Sequence, residues 1–163
     1  MSLKSDAGFT LVELLVVMFI IVLLSGSVMA GYWSGEKSHA VLRVAQQMTA
    51  DLRYVQNLAL AGSAQAEVIP YGYGLYAPTS GQYLLFYNVD SVKTYVAGES
   101  VILSNVNLTD TTLSPAGATI FFVPPDPTTY INDLSSGSQA FTVSSGSYSK
   151  SVTVYASGKI EVR

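Results

Sequence analysis

The sequence predicts an α+β protein. A long N-terminal α-helix with an apolar first half packs, through its second half, against a C-terminal antiparallel β head. Three observations carry this. From Leu14 to Leu24 there is no polar residue. From Glu36 to Leu60 the apolar residues recur at helical spacing. From residue 67 onward, runs rich in Val, Ile, Tyr, Phe and Thr are separated by Gly, Pro, Ser and Asn, which is the composition of strands and turns. A length of 163 residues sets one globular domain as the prior.

Residues 1–8 read as a short polar leader whose only charges, Lys4 and Asp6, cancel. Residues 9–30 read as a transmembrane or filament-core helix. At about 1.5 Å per residue this run covers about 33 Å, against about 30 Å for a hydrocarbon core. Its one charge is Glu13. A carboxylate inside a membrane-length apolar run is costly and marks a functional position. An ordinary signal peptide cut near Ala30 is the competing reading, because Ser25-Gly26-Ser27 and Val28-Met29-Ala30 offer small residues. It lacks the basic leader of such peptides, its apolar run is long, and it leaves Glu13 unexplained. An ordinary signal anchor fails on Glu13 for the same reason.

Residues 31–61 read as an amphipathic helix. Val41, Ala45, Met48, Leu52, Val55 and Ala59 recur in alternating steps of four and three and form one apolar stripe, which packs on the head. Gly26, Gly31 and Gly35 each cost about 1 kcal/mol relative to Ala and leave room for a bend or local unwinding. Gly62 is placed to stop the helix at the C′ position.

Residues 62–163 read as the β-rich head. Strands are expected over 67–70, 74–77, 82–89, 101–105, 118–123, 139–144, 149–156 and 159–162. Ser145-Gly146-Ser147 and Ser157-Gly158 read as hairpin turns, Ser135-Ser136-Gly137-Ser138 as a turn, and Pro124-Pro125-Asp126-Pro127 as a loop that forbids ladder pairing. Most of the eleven tyrosines fall here, with Phe86, Phe121, Phe122 and Phe141. They are expected as core or cross-strand pairs rather than as a carbohydrate or nucleic-acid platform.

Composition narrows the chemistry. With no cysteine, disulfides and thiolate metal sites are excluded. The single histidine, His39, has no nucleophile elbow to serve, so no catalytic residue is assigned and the chain is not read as an enzyme. No cofactor is expected. Asp110, Asp126 and Asp133 lack the spacing of a Ca²⁺ loop and read as solvated acids, so no metal ligand is assigned either. The head carries four Lys/Arg against seven Asp/Glu. Lys150, Lys159 and Arg163, with Glu161 among them, make a weak patch for DNA.

The segment Ala7-Gly8-Phe9-Thr10-Leu11-Val12-Glu13, followed by Leu14 and Leu15, resembles the class III signal of type IV pilins and of the pseudopilins of type II secretion. The resemblance is closest over residues 1–30 and fades beyond the helix. It implies cleavage after Gly8 by a prepilin peptidase on the cytoplasmic face and N-methylation of the new Phe9 terminus. It implies a single-pass protein of the inner membrane, its head outside the cytoplasm, that later enters a pilus or pseudopilus. The implied partners are the membrane, the peptidase, other pilin or pseudopilin subunits and an inner-membrane assembly platform driven by a separate ATPase. A buried Glu13 carboxylate needs a cation to offset its desolvation, and the Phe9 amine of its own chain, a helical turn away, or of a neighbouring subunit would serve; the resemblance implies the neighbour's.

The stretch Met48–Leu60, an all-β head and the closing Tyr155-Ala156-Ser157-Gly158-Lys159-Ile160 look like minor pilins and the H-type minor pseudopilins, in which the helix packs on two small antiparallel sheets. The reading is a structural subunit, and a minor one. A major pilin, a DNA-uptake pilin and a plain single-span anchored protein stay open as alternatives, and a secreted hydrolase is the least supported.

Overall fold

The computed structural model describes residues 10–65, 67–124 and 128–163, without the side chains of residues 27–34. The chain divides into two compact units, Met1–Glu36 and Lys37–Arg163. Helix α1, Leu11–Leu60, contributes to both. Its helical backbone continues through Gly26, Gly31 and Gly35, so the local unwinding that these glycines permit does not occur.

In the first unit, every large apolar side chain of α1 from Leu11 to Leu24 is exposed. Among the described residues no helix is long and apolar enough to cross a membrane. The run expected to do so, residues 9–30, includes Phe9 and the side chains of residues 27–30, which lie outside the described residues.

In the second unit, α1 ends in a Schellman motif. The Ser63 N–H donates to Leu58 O at 3.2 Å and the Gly62 N–H to Ala59 O at 3.1 Å. Gly62 sits at φ +55°, the left-handed conformation that this stop requires. The stripe Val41, Ala45, Met48, Leu52, Val55 and Ala59 is buried as its spacing predicts. Each larger side chain of that stripe contributes about 1.5–3 kcal/mol on leaving water.

The β residues form two antiparallel sheets. One comprises β1 (Gly72–Thr79), β2 (Gln82–Asn88), β3 (Val101–Asn107), β5 (Thr119–Val123) and β6 (Thr128–Ile131), in the order β3-β2-β1-β5-β6. The other comprises β4 (Thr112–Ser114), β7 (Ser138–Ser145), β8 (Tyr148–Tyr155) and β9 (Ile160–Val162), in the order β4-β7-β8-β9. The α+β class holds, with the helix packed on both sheets. Tyr73, Leu75, Tyr83, Leu85, Ile120 and Phe122 from the first sheet join Phe141, Val143, Val152 and Val154 from the second and the α1 stripe in one core. Polar ties among the described residues help to fix the docking. The Tyr83 hydroxyl donates to Asp51 Oδ2 at 2.6 Å. Gln56 Nε2 donates to Gly158 O at 3.0 Å.

Several strand expectations need correction. Residues 67–70 form no strand; Gln65 and Val68 make an isolated bridge around Glu67, which sits at φ +69°. Pro70 has no N–H to extend such a pairing. β4 and β6 were not anticipated. β4 is three residues long with only Leu113 buried, too short for a periodic signal. β6 follows the proline cluster and pairs back on β5 in the register Val123↔Thr128, a hairpin across the expected loop; residues 125–127 of that loop lie outside the described residues. The turns at Gly146 and Gly158 are as expected, with φ of +60° and +79°.

The centre of the first sheet, β2, β1 and β5, is buried on both faces, whereas the edge strand β3 is largely exposed. On the face away from the core, Phe86 and Phe121 flank Gly74 in register, and their rings stack at 5.7 Å. The connection from Val89 to Ser100 lies over these rings. Tyr95 stacks on Tyr76 at 4.8 Å and meets Phe86 edge-on at 5.4 Å. Lys93 Nζ sits 4.3 Å from the centre of the Tyr130 ring. Asn88 Nδ2 holds this strap by donating to Val92 O and Thr94 O at 2.7 and 2.9 Å.

Candidate functional site

The N-terminal segment carries the strongest sequence signal, and the structure describes it from Thr10. Gly8 and Phe9, the expected cleavage and methylation residues, lie outside the described residues. Thr10 is the N-cap of α1. Its Oγ1 accepts a hydrogen bond from the Glu13 N–H at 3.2 Å, and its carbonyl accepts the Leu14 N–H at 3.2 Å. Glu13 therefore stands at the third helical position, in the first turn, where the helix dipole favours a carboxylate. Thr10-Leu11-Val12-Glu13 has the capping-box spacing, a Ser or Thr followed three residues later by Glu. That signal is present in the sequence, where Thr10 reads as part of the class III segment and not as a cap. Glu13 is exposed, and so are its apolar neighbours: Leu11 at 80%, Val12 at 69% and Leu14 at 58%. An apolar surface of this extent around a single carboxylate is an interaction surface, since water-exposed patches of this kind mark contacts with lipid or protein.

The candidates in the second unit separate. His39 is exposed on α1. Asp110 and Asp133 both occupy left-handed turn positions, at φ +59° and +69°, and Asp126 lies outside the described residues. Among the described residues no three His, Cys, Asp or Glu side chains cluster to hold a metal.

The C-terminal cations are largely spent on Glu161. Lys159 Nζ pairs with Glu161 Oε1, and Arg163 Nη2 with Oε2 at 3.3 Å. The Tyr155 hydroxyl also donates to Oε2, at 3.0 Å. The hydrogen bonds from Lys159 and then Tyr155 pull the Glu161 carboxyl below the usual carboxylate range, and Glu161 in turn raises Lys159. Of the three residues read as a DNA patch, Lys150 is exposed on β8. Three cations, two of them sharing one carboxylate, make a poor phosphate track.

Comparison with known proteins bears on the N-terminal segment alone. Residues 3–29 match the family model described as the prokaryotic N-terminal methylation motif. No curated protein and no solved structure matches the chain at a significant level. The matched stretch contains Gly8, Phe9, the Thr10 cap and Glu13 in the order and spacing on which the resemblance was drawn. Residues 3–29 thus carry the class III signal of type IV pilins and pseudopilins, and the match does not extend to the rest of the chain.

Proposed function

We propose that this protein is a structural subunit of a type IV pilus or a type II secretion pseudopilus, cut after Gly8, N-methylated at Phe9 and present as a minor subunit. The observation that carries the reading is the methylation-motif match over residues 3–29. The exposed apolar surface from Leu11 to Leu24 supports it. In the precursor that surface is solvated by the inner membrane through residues 9–30, with the head outside the cytoplasm. In the filament the same surface packs on neighbouring subunits, because the alternative is contact with water. Glu13 is the one carboxylate in this surface, and the Phe9 amine of a neighbour is the cation that offsets its burial. The chain acts with the peptidase, sister subunits and an inner-membrane platform, and catalyses nothing itself. A helix packed on two antiparallel sheets supports the minor-subunit reading, because that is the layout of the H-type resemblance.

The test is mass spectrometry of the N-terminal peptide from sheared surface filaments and, in parallel, from the membrane fraction. A methylated Phe9 terminus in membranes that is scarce in filaments is the expected result. If that terminus dominates the filaments, the protein is a major pilin and the minor-subunit reading fails. An intact leader in both fractions, with prepilin peptidase present, overturns the whole assignment in favour of a plain membrane anchor.

A further inference from the structure

We infer that the head carries a binding site for a neutral saccharide in the cleft where its two sheets meet. The inference does not depend on how the N-terminus is processed. The cleft is shallow and open to solvent, and its volume of about 430 Å³ lies within the range of about 300–1,000 Å³ of small-molecule sites. Four parts of the chain converge on it: β1 at Tyr76, the strap at Thr94 and Tyr95, the β4–β5 connection running into β5 at Gly117 and Thr119, and the β6–β7 side at Asn132 and Gln139.

The chemistry of the lining selects the ligand. Among the described residues that line it there is no Lys, Arg, His, Asp or Glu. A phosphate, a nucleic acid or a metal ion would meet no opposite charge there, and an ionised ligand would lose its hydration without compensation. Hydroxyls and amides line the cleft beside tyrosine rings, so it does not suit a purely apolar chain either. Uncharged hydroxyl and amide groups beside an aromatic surface match a sugar, whose hydroxyls exchange hydrogen bonds with amides and whose C–H faces lie against rings.

The polar groups are held in place and still have capacity. Asn132 Oδ1 accepts the Thr119 N–H at 2.8 Å, and the Asn132 N–H donates to Thr119 O at 2.9 Å. This double tie holds Asn132 at φ +49°. Among the described residues its Nδ2 makes a long 3.4 Å contact with Gln139 Oε1 and no other hydrogen bond. Gln139 Nε2 uses one hydrogen on Ala140 O at 2.9 Å, leaving the other available. Among the described residues no protein partner takes up the hydroxyls of Tyr76, Thr94 or Tyr95, and all three side chains are half-buried. Tyr76 and Tyr95, both lining the cleft, stack with planes 12° apart, which holds the two rings in a fixed orientation.

The experiment is saturation-transfer NMR on the full chain in zwitterionic micelles, whose headgroups contain no sugar. The probes are maltose, cellobiose, lactose and diacetylchitobiose, with sialyllactose and a proline-rich peptide as comparisons. Saturation transfer to at least one neutral disaccharide, exceeding that to sialyllactose, is expected. Gln139→Leu should then weaken that binding by about fivefold, the loss of one neutral hydrogen bond, with the circular dichroism spectrum unchanged. No transfer to any neutral disaccharide, transfer to sialyllactose or the peptide alone, or equal binding by Gln139→Leu would each overturn the inference.

Discussion

Gly74 shows how much one residue governs in this head. It sits on β1 between Phe86 of β2 and Phe121 of β5, and the two rings close over it. A Cβ built there would come within 2.6 Å of Ile120 O, 2.8 Å of Phe86 Cζ and 2.9 Å of Phe121 Cδ2. One of these is backbone in the middle of a ladder, so the neighbours cannot simply rotate away. Gly74→Ala is therefore expected to destabilise the protein by about 1–3 kcal/mol through overpacking. Denaturant titration of the full chain in micelles, followed by near-ultraviolet circular dichroism, measures it; an unchanged midpoint would contradict the packing argument. Sequence reading placed Gly74 at the start of a strand but supplied no reason for a glycine there, because the reason lies in two aromatic residues 12 and 47 positions away.

At the scale of elements, the union of α1 with the first sheet rests on the apolar stripe and on one buried hydroxyl. Tyr83 is fully buried on β2 and donates to Asp51 on the helix. Burial first, and then the Asp51 carboxylate, hold the Tyr83 proton far above tyrosine's ordinary value of 10.0. A group whose pKa is raised on folding contributes its stability fully below its unfolded pKa and loses it as pH rises above that value. The protein is thus expected to lose stability from about pH 10 upward. Tyr83→Phe should cost about 2 kcal/mol at pH 7, where a hydrogen bond to a charged group is lost. The same variant should lose less with further rise in pH, since the group that resists ionisation is gone. Tyr73, also raised by burial, keeps part of the alkaline slope. Thermal unfolding of both proteins from pH 7 to 11 checks this; parallel curves would remove Tyr83 from the alkaline transition.

The two sheets explain which element expectations held. Strands with strong alternation or a long apolar run, such as β2, β7 and β8, were placed within a residue or two. β4 and β6 escaped because three or four residues paired at a sheet edge leave no periodic trace. The β6 pairing also had to be inferred across prolines that argue against strands. The helix stop at Gly62 was legible because a Schellman motif is a local device with a local signature.

At the scale of the whole molecule, the proposed assembly turns on Glu13. Glu13→Leu removes the only charge from the apolar run and makes membrane insertion more favourable. It also removes the partner for a neighbour's Phe9 amine, and a broken buried ion pair costs far more than the factor of about ten by which incorporation into filaments should fall. Quantitative immunoblots of membrane and filament fractions provide the measurement. Wild-type incorporation of Glu13→Leu would remove Glu13 from the mechanism and leave apolar packing as the sole driving force.

The sequence by itself determined the helix, its two-character pattern, its stop and the class III signal, because each is written in neighbouring residues at fixed spacing. It determined the α+β class for the same reason. Tertiary structure alone decided the five- and four-stranded sheets, the strap laid over Tyr76 and Phe86 of the first sheet, and the gathering of Tyr76, Tyr95, Asn132 and Gln139 around one cleft. Those depend on strand order and on contacts between residues far apart in the chain. No local periodicity encodes which strand will lie beside which.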